Sequence, residues 1–567
     1  MSTSAGGSSP AETEFRRISE AEWTWRLQEL GSQFYWGQEV DARLPDVSAP
    51  AWQARGEHWR SVKEELAGLD TAALSARARV DLAVYLTQIE ALIAHVDHRV
   101  FERPMNSDTA FWTDHQGLAR VSMTYEQAQA FLEQLRQLPR WFDQHIENMR
   151  TGLRRGFAPP RVAMAGREGT ARSVAEATSA DQVAYLRPFT DLPATVGAER
   201  RRDLISAATA VIEQTVIPAY AALLDFLVTE YLPGLPEDVS VAATPGGTEF
   251  YRAQLREYTT TDLDPQEVHR IGLAEVASIQ AEMAQVAEEA GFDDAAAMRE
   301  FMRTDPQFYV DTPAQLLKEA AWQCKLFDAV VHQFFGLVPR GRFGIIEPPP
   351  DLAPYYTAGR GGRDRYTLNT YNLPARPLYA LPALTLHEAA PGHAFQSAFA
   401  AEAEQNPDYR REVYISAYGE GWALYCERLG VEMGIYRTPF EMMGMLSYQM
   451  WRAARLVIDP GIHALGWSRE RAQDFLRQNT ALSEHEISTE VDRYITWPGQ
   501  AASYYLGQLA ILELRRHAEG TLGEHFDLRH FHDVILALGS VPLEVLRTEV
   551  QRAVAAWATR VHNGGAR

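Results

Sequence analysis

The sequence predicts a mainly α-helical fold with one small β element. Apolar residues recur at three- and four-residue spacing over long stretches, which is the periodicity of amphipathic helices. These stretches cover residues 71–101, 125–154, 198–231, 265–290, 314–335, 439–457 and 500–518. Helices of such length leave little room for alternating βαβ units. Residues 364–371, DRYTLNTY, are rich in Tyr and Thr and predict a short strand.

The helical pattern is interrupted by segments rich in proline and glycine. They lie at residues 155–172, 232–247 and 336–380. Each is either a domain boundary or a loop within one helical body. We expect a disordered tail over residues 1–12, followed by one helical domain over residues 13–567. A two-lobed form of that domain is the alternative, with the active-site helices within residues 381–520.

Composition limits the classes of function. The chain has 75 acidic and 54 basic residues and a formal charge of −21, which argues against a nucleic-acid partner or an anionic membrane surface. Two cysteines are too few for a disulfide scaffold. The first residues show no signal-peptide pattern, and we expect no stretch with the roughly 18 apolar residues of a membrane span. A soluble cytoplasmic protein without a membrane partner is expected, while its oligomeric state stays open.

Residues 387–396, HEAAPGHAFQ, nearly match a zinc-hydrolase motif. In H-E-x-x-H, two histidines four positions apart on a helix face one cation, and the glutamate activates its water. Here His393 follows His387 by six positions. Four residues leave two side chains about 40° apart around a regular helix, whereas six leave them about 120° apart. A straight helix would therefore prevent the two imidazoles from sharing a metal.

Pro391 and Gly392 offer a way to bend the backbone between the histidines. Proline cannot donate to the carbonyl of His387, four residues earlier, and its ring opens the turn. Glycine tolerates the dihedral angles that follow. We therefore expect a distorted helix between Ala390 and His393, similar to a π-type bulge, that directs both imidazoles to one metal.

Glu420 is the expected third metal ligand, 27 residues after His393. It opens an apolar helix, and many zinc hydrolases take a glutamate from the next helix while a fourth position remains for water. The alternative is a carboxylate that the helix dipole stabilises. Glu427 lies about 10 Å further along the same helix face. We interpret it as a salt-bridge partner of Arg428, with orientation of a metal-bound imidazole as the alternative.

Further polar residues lie in apolar surroundings after the motif. His463 and Tyr504 are candidate catalytic residues that would stabilise an oxyanion. Arg493 and Arg515 are candidates to hold a substrate carboxylate by a bidentate pair, and Tyr505 is a further candidate for substrate binding. For each of these side chains, a structural role in the core or at a helix end is the alternative.

Four longer segments point to a known family. They are HEAAPGHAFQ, YGEGWALYCERLG, RLVIDPGIHALGWSRERA and DRYITWPGQAASYYLGQLAILELR. Together they resemble the bacterial domain-of-unknown-function 885 family, and the likeness extends to Leu44–Ser48. Members look like zinc peptidases of the gluzincin kind, with a mostly helical fold similar to thermostable carboxypeptidases and angiotensin-converting enzyme. The HExxGH motif of dipeptidyl peptidase III, with one extra residue, shows that a widened spacing is compatible with zinc.

The resemblance implies one zinc ion per chain, held by His387, His393 and Glu420, with Glu388 as the base that activates a zinc-bound water. The expected function is hydrolysis of short peptides in a central channel between helices, with carboxypeptidase action favoured. Dipeptidyl-peptidase or aminopeptidase action, and hydrolysis of a non-peptide amide in biosynthesis, are alternatives. A non-catalytic helical binding protein is the alternative from another class.

Overall fold

The computed structural model describes residues 9–31, 40–350 and 353–562 of the chain. It is mainly helical, which confirms the fold class that the periodicity predicts. The chain divides into two compact units, Met1–Phe250 with Ile495–Trp497, and Tyr251–Tyr494 with Pro498–Arg567. Residues 1–8 of the predicted tail lie outside the described residues. Residues 10–12, which we assigned to that tail, already belong to the first helix.

The first unit is built from helices around one apolar core. In chain order they are α1 (Pro10–Leu30), α2 (Ala49–Ala67), α3 (Ala76–Asp97), α4 (Phe111–Leu118), α5 (Tyr125–Arg155), α6 (Arg161–Met164), α7 (Gly169–Ala175), α8 (Arg187–Thr190), α9 (Ala198–Val211), α10 (Ile217–Phe226) and α11 (Leu232–Gly234). Aromatic side chains without solvent exposure, among them Trp112, Phe131 and Phe189, fill the core. Burying one such phenylalanine contributes roughly 1.5–3 kcal/mol, so this core is a main source of the unit's stability.

One helical run of the first unit is more apolar than we expected. Two π-helical turns, Ile212–Val216 and Leu227–Tyr231, join α9, α10 and α11 into a run over Ala198–Gly234. By length and composition this run could cross a membrane, with a mean hydropathy of 1.5 over its most apolar window. The expectation that no stretch is apolar enough was therefore wrong. Tyr220 and Leu223 of the run are fully buried in the apolar core.

The second unit carries the remaining helices. In chain order they are α12 (Gly247–Thr259), which begins in the first unit, α13 (Pro265–Glu289), α14 (Ala295–Thr304), α15 (Pro313–Phe334), α16 (Leu381–Glu388), α17 (His393–Glu402), α18 (Asp408–Glu412), α19 (Ser416–Leu429), α20 (Pro439–Leu465), α21 (Arg469–Asn479), α22 (Glu484–Thr496), α23 (Ser503–Leu522), α24 (Leu528–Leu538) and α25 (Leu543–His562). Local sequence sets the ends of α20. Thr438 and Glu441 form a capping box, and Gly466 ends the helix with a φ of 68°.

A small three-stranded sheet precedes α16. Its strands are β1 (Gly344–Ile346), β2 (Gly359–Gly361) and β3 (Arg365–Leu368), in the order β1-β3-β2. β1 is parallel to β3, and β2 is antiparallel to it with Gly361 opposite Tyr366. Because β3 lies inside residues 364–371, the strand prediction is confirmed. Tyr366 packs with Leu381 and Leu384 of α16, which places the edge strand β2 against the helix that carries His387.

Candidate metal centre

The two histidines of the motif lie on consecutive helices. α16 ends at Glu388 and α17 begins at His393. Between them, Ala389 and Gly392 leave helical geometry, with φ/ψ of −99°/−100° and −75°/−134°. The distortion that we expect before His393 is confirmed in position. Its nature differs from a π-type bulge, because the helix breaks completely.

The turn between α16 and α17 requires a glycine. A Cβ atom on Gly392 would lie 1.9 Å from the carbonyl oxygen of His387, far inside van der Waals contact, so no larger residue fits. The indole N–H of Trp422 donates to the carbonyl of Pro391 at 2.8 Å. The turn is therefore anchored to α19, the helix that carries Glu420.

His387, His393 and Glu420 converge as the sequence predicts. Each offers one ligand atom, and the three atoms lie within 4.8 Å of one another. Oε2 of Glu420 is 3.5 Å from Nε2 of His387 and 3.2 Å from Nε2 of His393. The two imidazole rings are nearly perpendicular, with an interplanar angle of 87°. Two imidazole nitrogens and one carboxylate oxygen that face a common point form a donor set typical of catalytic zinc.

Glu427 lies behind the first histidine and orients it. Its Oε1 is 2.7 Å from Nδ1 of His387, and its side chain has no solvent exposure. Because a carboxylate only accepts, Nδ1 carries a proton, and Nε2, which faces Glu420, is the nitrogen that can serve as a metal ligand once it loses its own proton. Arg428 pairs with Glu282 instead. The interpretation of Glu427 as the partner of Arg428 was therefore wrong, and the orienting role is the one that its contacts support.

Glu388 faces the edge of the sheet. Its Oε2 accepts from the backbone N–H of Gly361 in β2 at 2.6 Å. A Cβ atom on Gly361 would lie 2.1 Å from the carbonyl oxygen of Glu388 and 2.6 Å from Cβ of His393. Only glycine lets the strand approach so closely. The carboxylate of Glu388 is thus held at the cluster without being one of its three donor groups. This arrangement suits a general base.

The carboxylates of Glu420 and Glu427 surround the imidazole of His387 and favour its positively charged form. Burial alone would lower the pKa of His387, but Glu420 and Glu427, which accept from its nitrogens, raise that pKa to about 10. Burial would raise the pKa of Glu420, yet the charges of His393 and His387 hold it well below its usual range. A site that stabilises the cationic imidazole of His387 in this way fits a zinc ion, which would take the place of the proton on Nε2.

Tyr414 belongs to the cluster although sequence reasoning missed it. Its O–H donates to Oε1 of Glu420 at 2.9 Å, and its ring centroid lies 6.4 Å from that of His393. The residue as a whole is 56% exposed, whereas burial of its hydroxyl raises the pKa of Tyr414 well above its usual value. The only signal was its position shortly before Glu420, in YISAYGEG. A tyrosine before a helix has many structural explanations, so this signal alone was not sufficient.

Comparison with known proteins places the chain in a family. The family model for bacterial proteins of unknown function, DUF885, matches residues 31–550. The chain belongs to the DUF885 family. No curated protein matches the chain.

Two solved structures are similar to this DUF885 protein. One is a candidate lipoprotein from Colwellia psychrerythraea, with a TM-score of 0.88 and 25% identity over 96% of this chain and 99% of that chain. The other is a candidate lipoprotein of unknown function from Shewanella oneidensis. Its TM-score is 0.71 and its identity 16%, over 94% of this chain and 99% of that chain. They share the fold along nearly the whole length of this family member.

The two candidate tyrosines of α23 have different surroundings. The ring of Tyr504 is stacked on that of His387 at a centroid distance of 6.3 Å and an interplanar angle of 16°. Tyr505 donates its O–H to Oε2 of Glu275 at 3.1 Å. The ring of Tyr504 therefore lies next to the candidate metal centre, and its role at an oxyanion stays a prediction, whereas the hydroxyl of Tyr505 is occupied by a contact with α13 and does not fit a substrate contact.

His463 has the contacts of a structural residue. It is 1% exposed, and its Nε2 donates to the backbone carbonyl of Tyr494 at 2.8 Å. Its ring lies 5.2 Å from that of Tyr251. Because this nitrogen already has an acceptor in the interior, the prediction that His463 stabilises an oxyanion finds no support in the geometry.

The two arginines predicted to hold a substrate carboxylate already have partners. Arg515 donates from Nη1 and Nη2 to the two oxygens of Glu432, each at 2.7 Å, and from Nε to Glu519 at 2.9 Å. Its bidentate face is thus occupied by a carboxylate of the same chain, which contradicts the predicted role. Nη2 of Arg493 donates to Oε1 of Gln500 at 3.1 Å.

Proposed function

We propose that this DUF885 protein is a zinc-dependent peptidase that hydrolyses short peptides, with carboxypeptidase action favoured. The observation that carries the proposal is the convergence of His387, His393 and Glu420 within 4.8 Å. The hydrogen bond from Nδ1 of His387 to Glu427 supports it further, because carboxylates commonly orient metal-bound imidazoles in this way. The resemblance to gluzincins agrees with the same set of residues.

The residues around the cluster have separate tasks in this proposal. A zinc ion held by the three ligands supplies a Lewis acid that polarises a carbonyl and makes water more acidic near neutral pH. Glu388, anchored by the N–H of Gly361, accepts the proton of the attacking water and returns it to the leaving amine. The O–H of Tyr414, which donates to Oε1 of Glu420, holds this proposed ligand in position.

Metal analysis of the purified protein tests the proposal. Protein prepared without chelator should contain about one zinc per chain, and His387→Ala should lose it because one of three ligands is removed. Glu388→Gln should keep the zinc while its turnover of short peptides falls by about 10²–10⁴-fold, because an amide cannot accept the proton. Glu404→Gln, at an exposed position beyond α17, is the matched control and should keep both properties. Full activity of Glu388→Gln would exclude its role as the base.

A further inference from the structure

Helix α20 buries an arginine whose charge is not paired. Arg452 is 5% exposed, and its Nε and Nη1 have no hydrogen-bond acceptor within the part of the chain that the structure describes. Its guanidinium lies over the rings of Trp451 at 4.0 Å and Tyr448 at 4.8 Å. Contacts with ring faces do not replace the hydrogen bonds that burial removes. A buried charge left in this state is costly, which indicates that a ligand normally completes the site.

A second guanidinium lies against the same tryptophan. Cζ of Arg455 is 4.8 Å from the ring of Trp451, and the residue is 2% exposed. Nη2 donates to Oε2 of Glu490 at 2.9 Å and Nε to the hydroxyl of Tyr494 at 3.3 Å. Nη1 has no acceptor among the described residues. Both guanidiniums thus lie within 4.8 Å of the Trp451 ring, and three of their buried nitrogens have no acceptor among the described residues.

The acidic groups near Arg452 and Arg455 do not neutralise both guanidiniums. Burial would raise the pKa of Glu490, but the charges of Arg455 and Arg493 hold it below its usual value, so Glu490 is ionised and offsets the charge of Arg455. Asp459, one turn further on α20, already accepts from two donors of neighbouring segments, and burial raises its pKa to about 7. One carboxylate from a ligand would balance the charge that remains at Arg452.

The arginine pair adjoins the metal centre through Tyr504. Cζ of Arg455 lies 4.4 Å from the ring centroid of Tyr504, and the same ring is stacked on His387 at 6.3 Å. An extended peptide spans about 3.5 Å per residue. The ring of Tyr504 thus links Arg455 to His387, and a peptide of about three residues is long enough to span these two contacts.

A cavity with a mainly apolar wall, to which Arg303, Arg376 and Glu486 also contribute, lies next to Tyr448. Tyr448, which is stacked on Arg452, forms part of this wall together with Leu381 and Leu384 of α16. The cavity has a volume of about 110 Å³. A cavity of about 150 Å³ can hold benzene, so this one fits an aliphatic side chain. Because α16 also carries His387, a side chain bound in the cavity belongs to the same substrate.

We propose that Arg452 and Nη1 of Arg455 bind the C-terminal carboxylate of the peptide substrate, while the cavity beside Tyr448 receives an apolar side chain. This assignment rests on the proposed peptidase function and names its substrate class, short peptides with a free carboxyl end. A guanidinium and a carboxylate form a strong, charge-assisted hydrogen bond. Arg452 and Arg455 thus take the role that the sequence suggested for Arg515.

Binding to the zinc-loaded Glu388→Gln protein tests this site without turnover. The probes are N-acetyl-Ala-Ala-Leu as the free acid and as the C-terminal amide, measured by titration calorimetry. We expect the acid to bind at least about 30-fold more tightly, since removing one partner of a buried charge pair has effects of this size. In the background of Arg452→Met the difference should vanish. Arg471→Met, at an exposed arginine stacked on Trp467 at 4.1 Å, is the matched control and should keep it.

The Tm of Arg452→Met distinguishes a binding role of Arg452 from a structural role. Arg452→Met should leave Tm unchanged or raise it, because an apolar side chain replaces an unpaired buried charge. A lower Tm together with an unchanged preference for the acid would overturn the proposal. So would equal affinity for acid and amide in the protein with Arg452 intact. Tight binding of an amidated peptide that ends in glutamate would overturn the assignment to the C-terminus in favour of a side-chain carboxylate.

The outcomes for this site and for the proposed function can be told apart. Lack of zinc, or lack of peptide hydrolysis by the zinc-loaded wild-type protein, would contradict the proposed function. The comparison of acid and amide measures binding alone. Equal affinity for the two peptides would contradict the carboxylate site without contradicting zinc binding or peptide hydrolysis.

Discussion

At the scale of single residues, His387 has the most completely determined surroundings of the three ligands. One of its nitrogens faces Glu420, and the other is bound by the fully buried Glu427. The second contact fixes both the ring plane and the nitrogen that carries the proton. Glu427 is therefore a positioning residue, and its effect should appear in metal affinity.

Replacing Glu427 by Gln should lower zinc affinity by about 10–100-fold, because a neutral amide accepts more weakly from Nδ1 and can also donate to it. Competition with a fluorescent zinc chelator measures this change. Glu432→Gln alters a half-exposed glutamate that pairs with Arg515 and should leave the affinity unchanged. An unaltered zinc affinity in Glu427→Gln would contradict the orienting role.

At the scale of elements, two contacts place the catalytic groups. The break between α16 and α17 brings the second histidine toward α19, where Trp422 anchors the turn. The edge strand β2 lies close enough to α16 for its backbone to bind the carboxylate of Glu388. The proposed base and the second histidine are thus held by different contacts.

Gly361→Ala should reduce peptide hydrolysis strongly and also lower zinc content, because the added methyl group would lie 2.6 Å from Cβ of His393 as well. The added methyl group would lie 2.1 Å from the carbonyl oxygen of Glu388, so β2 must move away and the anchor of the base is lost. The matched control is Gly362→Ala, where the nearest atom, Cγ of Arg365, is 3.7 Å away. Turnover and zinc content of the two variants are the measurements. Equal activity of both would show that the contact of β2 with Glu388 is dispensable.

At the scale of the whole molecule, the distribution of apolar side chains bears on whether one helical run is a membrane span or part of the core. The run Ala198–Gly234 has the length and hydropathy of a membrane span, but its apolar residues contribute to the core of the first unit. Glu213 and Asp225 lie on its exposed side. A carboxylate at the centre of a bilayer costs about 2.5–3.5 kcal/mol or more, which favours the interpretation as a core helix.

We therefore expect the protein to remain in the supernatant when a detergent-free lysate is centrifuged at high speed. Tyr220, Leu223 and other apolar residues of the run belong to the core of the first unit, and its exposed carboxylates oppose entry into lipid. Immunodetection in the supernatant and in the carbonate-washed membrane pellet is the measurement. Recovery in the washed pellet would contradict both this prediction and the expected cytoplasmic location.

Local sequence patterns were sufficient to predict the helical class, a strand within residues 364–371, and the three residues whose donor atoms converge. These features follow from local patterns: a repeat of three to four residues, a run of Tyr and Thr, and histidines separated by a Pro-Gly pair. The ability of an imidazole or a carboxylate to bind a metal also depends on the residue type, which the sequence states directly. For these reasons His387, His393 and Glu420 could be named before the fold was known.

Tertiary contacts determine which of the remaining polar groups still have donors or acceptors available for a substrate. Arg515 and Arg452 are both arginines on helices after the motif, and the chain alone does not distinguish them. Arg515 meets Glu432 from 83 positions away, whereas Arg452 is buried against aromatic rings without an acceptor in the described part of the chain. Partners distant in sequence determine whether a charge is satisfied, and no local spacing encodes them.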